Sequence, residues 1–307
     1  MVETVDIDVT FDFRLDSAGR DPDSASPTLK RYHQALWSKP LPNGGYLHLT
    51  TDNCSYLRYK DMYFGSDSIT ASFRYERNRD LLRHVEQTMP SLSEYFDRYE
   101  HKTYTIGGEI IFPKHQGSIN QARGCSRKIC DRWDLTLECI RRYYAGEPSP
   151  LDAALHRDED FFELFTDFKG YVDFFLLQDC VNEKYQVKLW LDTPLFENDP
   201  MPKTTEDYFS WINSQLDFVK KRSKRITDYW MRNEKSESEI ELGEDELTTE
   251  MHYEFMEGKV THFDFMVAAV YGAINRGFSK EEACKRYGIT VEEYETNIER
   301  VLSDPSW

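Results

Sequence analysis

The chain of 307 residues has little positive charge and no long apolar run. Lysine and arginine number 38 against 55 aspartates and glutamates, so the formal net charge is −17. That excess argues against a general nucleic-acid coat or a binder of anionic membranes, because both attach through cations. No segment approaches the roughly 18 apolar residues that cross a bilayer, and the N-terminus lacks a secretory signal. We therefore expect a soluble protein with no membrane partner.

Cysteine is also sparse, with six residues spread through segments of core-like composition. Their spacing matches no disulfide scaffold, which favours free thiols in a reducing compartment and hence a cytoplasmic location. No histidine lies at zinc-ligand spacing from Cys125 or Cys130, so the sequence predicts no metal site.

The familiar catalytic motifs are absent. The chain contains no GxxxxGK[ST], GxGxxG, HExxH, GxSxG or CxxC. The sequence therefore identifies no cofactor and leaves open whether the protein is an enzyme.

The pattern of apolar residues predicts an α+β fold whose N-terminal, mixed strand-rich part packs with C-terminal helices. Residues 5–13 alternate apolar and polar side chains and predict an opening strand. A helix is predicted over residues 27–37, with strands within residues 45–69 and 103–112. Two glycines within the last of these strands indicate a bulge or a close backbone approach.

From Arg127 onward, apolar residues recur every three or four positions and predict a helix that ends at Gly146. Two further helices are predicted around residues 151–166 and 168–182. A long helix is predicted over residues 205–230.

Charge and composition divide the chain into three parts. A main α+β domain spans residues 1–232, an acidic linker residues 233–250, and a small all-α appendage that resembles a helix-turn-helix residues 251–307. Two capping boxes are predicted within the appendage, Ser279 with Glu282 and Thr290 with Glu293.

The segment most suited to chemistry is residues 120–142, which contains six basic and three acidic residues although the protein as a whole is acidic. Asn120 and Arg123 precede the predicted helix, where backbone N–H groups and an arginine fork suit a phosphate or carboxylate. Arg127 is predicted to belong to the same anion site. Arg123 lies outside the apolar face of the predicted helix, so we expect it to contribute little to packing. The same charges also fit a salt-bridged helix face.

Carboxylates near this segment are the candidate catalytic groups. Asp131 or Asp134 is predicted to orient the substrate or to act as a base. Ser66 and Asp67, at the end of a predicted strand, are candidate substrate-binding residues, although a capped turn explains the same pair.

The appendage has the wrong charge for DNA. Its second helix carries Glu292, Glu293, Glu295 and Glu299 against Arg300, and phosphates repel such a face. We expect no duplex DNA binding through the appendage and interpret it as a protein-docking or packing module.

Three stretches, SPTLKRYHQALWSKPLPNG, ARGCSRKICDRWDLTLECIRRYY and DFKGYVDFFLLQD, resemble an uncharacterised bacterial family, one of the domain-of-unknown-function families. The resemblance covers about residues 5–230 and implies a bacterial, intracellular origin. It implies no activity, cofactor or catalytic residue.

Two functional hypotheses follow from these patterns. The first is an enzyme or ligand-binding domain that acts on a phosphorylated, nucleotide-like or nucleic-acid substrate through an Arg/Asp site. The second is a non-catalytic interaction or regulatory protein whose acidic appendage docks on a protein partner.

Overall fold

The computed structural model describes residues 5–51, 56–70, 78–87, 92–240, 262–275 and 278–303. Contacts divide the chain into two compact units, Met1–Asn233 and Glu234–Trp307, and each is described by itself. Within the described ranges, no helix combines the length and the apolar character that crossing a bilayer requires.

The first unit is α+β, as the sequence predicts. Its strands are β1 (Lys39–Pro40), β2 (Tyr46–Leu47), β3 (Thr50–Thr51), β4 (Leu57–Tyr59), β5 (Met62–Ser68) and β6 (Glu109–Pro113). Its helices are α1 (Pro22–Ala25), α2 (Pro27–Trp37), α3 (Arg79–Glu86), α4 (Leu92–Thr103), α5 (Ile119–Cys125), α6 (Trp133–Ala145), α7 (Asp152–Arg157), α8 (Glu159–Phe162), α9 (Phe168–Phe174) and α10 (Thr205–Ile240).

Four strands of this unit form an antiparallel sheet in the order β3-β4-β5-β6. Strands β5 and β6 pair from Phe64 opposite Pro113 to Ser68 opposite Glu109. Strand β4 pairs only with the first half of β5, so among the described strands the second half of β5 pairs with β6 alone. Helix α1 packs against β5, which brings the loop before α2 onto the sheet.

The core of the unit is rich in aromatic side chains. Helix α2 begins at a serine N-cap followed by proline, and it buries Leu29, Leu36 and Trp37. The aromatic side chains of the run YVDFFLL are all buried. Phe165 packs edge to face against Phe161 and Tyr171 and at a tilted angle against Phe175.

The predicted opening strand is wrong. Residues 5–12 form no strand, and a 3-10 turn follows at Phe13–Asp16. The acidic residues between the apolar ones bind nearby backbone N–H groups: Asp8 accepts from Thr10 and Asp12 accepts from Arg14. Such local bonds favour turns over a strand ladder even where apolar side chains alternate.

The predicted third strand is shorter than expected. A 3-10 turn spans Ile106–Gly108, and β6 begins only at Glu109. A Cβ atom on Gly108 would collide with the carbonyl oxygen of Thr103, and one on Gly107 would collide with Ser223. The two glycines therefore mark a close backbone approach, one of the two interpretations that the sequence allowed.

Several helices begin or end at residues other than those predicted. Helix α6 begins at Trp133 rather than Arg127, because Cys130 and Asp131 adopt φ values of 50° and 64° and break the helical path. Residues 151–166 contain α7, α8 and a 3-10 turn, and α9 ends well before residue 182. Helix α10 continues to Ile240 into the predicted linker, whose remaining residues lie outside the described ranges.

The second unit contains helices α11 (His262–Asn275), α12 (Lys280–Tyr287) and α13 (Val291–Ser303). They bury an apolar cluster of their own that includes Val267, Val270 and Val301. Both predicted capping boxes are confirmed, since Ser279 exchanges hydrogen bonds with Glu282 and Thr290 does so with Glu293.

Candidate functional site

A cavity of about 250 Å³ opens in the first unit where α1, α2 and α5 meet the second half of β5. Four of the predicted site residues line it, and they come from three separate parts of the sequence: Ser66, Asp67, Asn120 and Asp131. The sequence did not connect these with the other polar residues of the lining, which include Asp21, Asp23, Lys30, His33 and Lys114.

Strand alternation explains how neighbouring residues of β5 serve different parts of the site. Successive side chains of a strand point to opposite faces. Ser66 accordingly faces the side of His33 and Glu109, whereas Asp67 faces Arg123 on α5. The sequence GSDS therefore forms a strand end with two polar faces rather than the isolated capped turn that was the alternative interpretation.

Arg123 is fully buried, and its guanidinium bonds to several groups of the protein. Its guanidinium forms ion pairs with Asp67 and, at 3.4 Å, with Asp131. It also donates to the carbonyl oxygen of Asp131 at 2.8 Å and of Ser68 at 3.3 Å, and to the hydroxyl of Thr136 at 3.3 Å. The expectation of a pre-helix arginine with little packing role is thus overturned, because Arg123 lies within α5 and crosslinks three segments.

Burial and Arg123 act in opposite directions on Asp67. Burial raises the pKa of the Asp67 carboxyl, and the Arg123 guanidinium lowers it. The ion pairs with Arg123 hold Asp67 and Asp131 in position where they line the cavity. Arg123 positions carboxylates here; its own donors are directed at protein acceptors.

His33 is a neutral hydrogen-bond donor to Ser66. The indole N–H of Trp37 donates to Nδ1 of His33 at 3.0 Å, so the imidazole proton must lie on Nε2. Nε2 lies 2.9 Å from the Ser66 hydroxyl oxygen and donates to it. Burial lowers the pKa of His33 to about 3, which keeps the ring neutral. Because Nε2 is protonated, His33 cannot take the Ser66 proton, and Ser66 is not the activated nucleophile of a Ser-His pair.

The Ser66 hydroxyl completes the chain by donating to Oε2 of Glu109 at 3.3 Å. Glu109 opens β6 and has no exposed surface. The burial of Glu109 and the neighbouring carboxylate of Asp23 together raise the pKa of Glu109 well above its usual range.

Two lysines bring positive charge to the cavity. Lys30 lies on α2, and Lys114 directly follows β6. The Lys114 stem runs across Gly65, where a Cβ atom would lie 3.1 Å from Lys114 Cδ. The absence of a side chain at Gly65 gives Lys114 its path to the cavity.

The charges of the lining almost balance. Asp21, Asp23, Asp67 and Asp131 are opposed by Lys30 and Lys114, and by Arg123 behind the floor. Within the described residues, no group of three His, Cys, Asp or Glu side chains is arranged to hold a metal ion. The arrangement suits a ligand that carries both an anionic group and hydrogen-bond donors.

Two predicted site residues lie away from the cavity. Arg127 is exposed and outside the lining. Asp134 is buried, pairs with Arg132 and accepts the Trp190 backbone N–H at 2.9 Å. Both residues fall within the helix predicted from Arg127, but α6 starts between them, so their side chains lie in different surroundings.

The other interpretation of residues 120–142, a salt-bridged helix face, holds for the C-terminal end of this segment. Glu138 binds both Arg141 and Arg142 at 2.9 Å. These partly exposed pairs stabilise the last turns of α6.

Asp21 and Asp23 show why sequence reasoning missed half of the site. Both lie in a segment rich in turn-forming residues, and Asp21 caps α1 by accepting the Asp23 backbone N–H at 3.3 Å. Both residues nevertheless line the cavity. The contact of α1 with β5 is a tertiary one, and no local pattern predicts it.

A comparison with protein families finds a match over residues 7–226 to a family described as of unknown function. Neither the curated proteins nor the solved structures gave a match.

Proposed function

The chain belongs to this family of unknown function, DUF6994, so we propose a function from the cavity: the first unit binds a small phosphorylated, nucleotide-like substrate and acts on it. One observation carries the proposal. Residues far apart in the sequence place carboxylates, an amide and two lysines around a single cavity large enough for one small molecule.

The charges assign roles to these groups. Lys114 and Lys30 are the cations that meet a phosphate, a role that the sequence had given to Arg123 and Arg127. Asn120 supplies a neutral amide donor, and Asp131 accepts a hydroxyl or amine of the substrate. Asp67 and Asp131 stay oriented because Arg123 binds both of them. Asp134 has no part in this assignment.

Thermal-shift and calorimetric titrations test the proposal with nucleoside monophosphates and sugar phosphates, each beside its dephosphorylated counterpart. A phosphorylated ligand at 100 times its Kd stabilises the folded state by about 2.7 kcal/mol. We expect Lys114→Ala to lose the preference for the phosphorylated form and Asp131→Asn to weaken both forms.

The matched control is Lys128→Ala, since Lys128 is exposed and lies outside the lining. Equal binding of a phosphorylated ligand by wild type and Lys114→Ala would refute the assignment of the phosphate to this cavity. Binding of amines in preference to phosphates would show that the carboxylates select a cationic ligand instead.

For residues 251–307 we propose protein interaction rather than DNA binding. Among the described residues of α13, Glu292, Glu295 and Glu299 are exposed, and they form an acidic surface. A peptide of residues 251–307, shown to be helical by circular dichroism, is expected to give no salt-dependent anisotropy change with duplex DNA. Micromolar binding that weakens with added salt would contradict this. A bacterial cytoplasmic setting, implied by the resemblance and the cysteine spacing, belongs to the same proposal.

A further inference from the structure

Glu109 and Asp23 form a close pair of carboxyls between the sheet and α1. Glu109 is fully buried on β6, and Asp23 lines the cavity from α1. Oδ1 of Asp23 and Oε1 of Glu109 are both shielded from solvent, and the two side chains lie within hydrogen-bonding reach of each other. Two carboxylate oxygens are both acceptors, so they form a hydrogen bond only when one of them carries a proton.

The surroundings of Glu109 favour that proton. Oε2 accepts from Ser66, whereas no described donor reaches Oε1. His33 is neutral and donates to Ser66, so it brings no charge to the pair. An unpartnered, ionised oxygen at this depth would be costly, and a shared proton satisfies it.

Charged groups nearby come from several elements. The carboxylates of Asp23 and Asp67 both raise the pKa of Glu109. Arg222 on α10 acts in the other direction, but its guanidinium donates to the backbone carbonyls of Gly107 and Glu109 rather than to the carboxyl. Arg123 binds Asp67 on the opposite face of β5 and so neutralises that residue, not Glu109.

We propose that Asp23 and Glu109 hold one proton between them and that this pair is the acid-base group of the cavity. Asp23 is the member that touches the ligand, and Glu109 is a positioning residue that keeps the proton in place. The pair can donate the shared proton to a ligand oxygen, or accept a second proton from a ligand hydroxyl. The catalytic part of this inference rests on the proposed function, whereas the shared proton does not.

Infrared spectroscopy of the ligand-free protein tests the shared proton. At pH 7 the wild type is expected to show the carbonyl stretch of a protonated carboxylic acid, and Glu109→Gln is expected to lose the part that the pair contributes. Burial raises the pKa of Asp67 to about 7, so Asp67 contributes to the same band. In an Asp67→Asn background the band should remain, and adding Glu109→Gln should abolish it. Glu138→Gln, a salt-bridged carboxylate outside the lining, is the matched control and should also retain it.

Asp23→Asn keeps the inference falsifiable if Glu109→Gln fails to fold. An amide at position 23 removes the facing carboxylate and donates to Glu109, so the band should disappear at a lower pH than in the wild type. A wild type without the band at pH 7, or a band unchanged in both variants, would overturn the shared proton. If the wild type shows the band but binds no phosphorylated ligand, only the proposed function is refuted.

Discussion

Arg123→Met is the substitution that most directly tests how the cavity floor is held. Methionine retains much of the arginine stem but removes every donor. Asp67 then stays buried without its cation, and the carbonyl oxygens of Ser68 and Asp131 lose a donor. Because the side chain is fully buried, solvent does not replace these bonds.

The magnitude follows from the burial of the pair. Removing one partner of a buried ion pair costs about 3–5 kcal/mol, since the remaining charge is left uncompensated. For a unit of this size each kcal/mol lowers Tm by about 2–4 °C, so we expect a Tm drop of roughly 6–20 °C. Arg127→Ala, an exposed arginine four positions away, should change stability by no more than about 0.5 kcal/mol.

The stability that Arg123→Met loses is expected to depend on pH. Burial raises the pKa of Asp67 in the folded state, and without Arg123 it rises further. A folded pKa above the unfolded value of about 3.9 costs stability at high pH, and the cost fades as falling pH protonates both states. Urea unfolding followed by tryptophan fluorescence should therefore show a larger deficit for Arg123→Met at pH 8 than at pH 5.

A second substitution decides whether the lost partner is the cause. Adding Asp67→Asn to Arg123→Met removes the orphaned charge and is expected to recover part of the stability. A deficit under about 1 kcal/mol for Arg123→Met would refute the reasoning. So would a deficit independent of pH that Asp67→Asn does not relieve.

Two further substitutions test the packing around the site. Gly108→Ala is expected to destabilise by about 1–3 kcal/mol or more in urea unfolding because its Cβ meets the Thr103 carbonyl oxygen, whereas Gly45→Ala meets only the end of an asparagine side chain and should cost less. Equal effects would contradict the close approach. Lys39 lies buried among three aromatic rings, and burial with the nearby Arg222 lowers its pKa to about 7. The unfolded state then binds more protons between about pH 7 and 10, so stability rises with pH there; Lys39→Met should be more stable relative to wild type at pH 6 than at pH 9, and a constant difference would contradict this.

The sequence predicted those parts of the fold that local patterns determine. The start of α2 at Pro27 and the two capping boxes of the second unit depend on short-range signals, and each was found at the expected residues. The opening strand failed for the opposite reason. Its alternation was genuine, but Asp8 and Asp12 bind neighbouring N–H groups and no described strand lies beside them.

The site shows the same division between local and tertiary information. A charge-rich segment and a polar strand end pointed to Asn120, Asp131, Ser66 and Asp67, all of which line the cavity. The partners of each charge were not predictable, because the pairing of Arg123 with Asp67 spans 56 residues. A helix drawn from Arg127 instead of Trp133 then placed Asp131 and Asp134 together.

Two of the buried arginines, Arg123 and Arg222, lie near the carboxyls of the site and meet them in different ways. Arg123 directs its guanidinium at the carboxylates of Asp67 and Asp131, so negative charge is stabilised on the α5 side of β5. Arg222 directs its own at backbone carbonyls, which leaves the carboxyl of Glu109 facing another carboxyl on the other side of the strand. In a medium of low dielectric, adjacent carboxyls cannot all ionise, and the proton remains where no cation meets the carboxyl directly. Asp67 on β5 and Glu109 on β6 thus lie in different surroundings, because a guanidinium bonds to the carboxyl of Asp67 whereas Arg222 bonds to the backbone of Glu109, and this difference favours the proton on the Asp23–Glu109 pair.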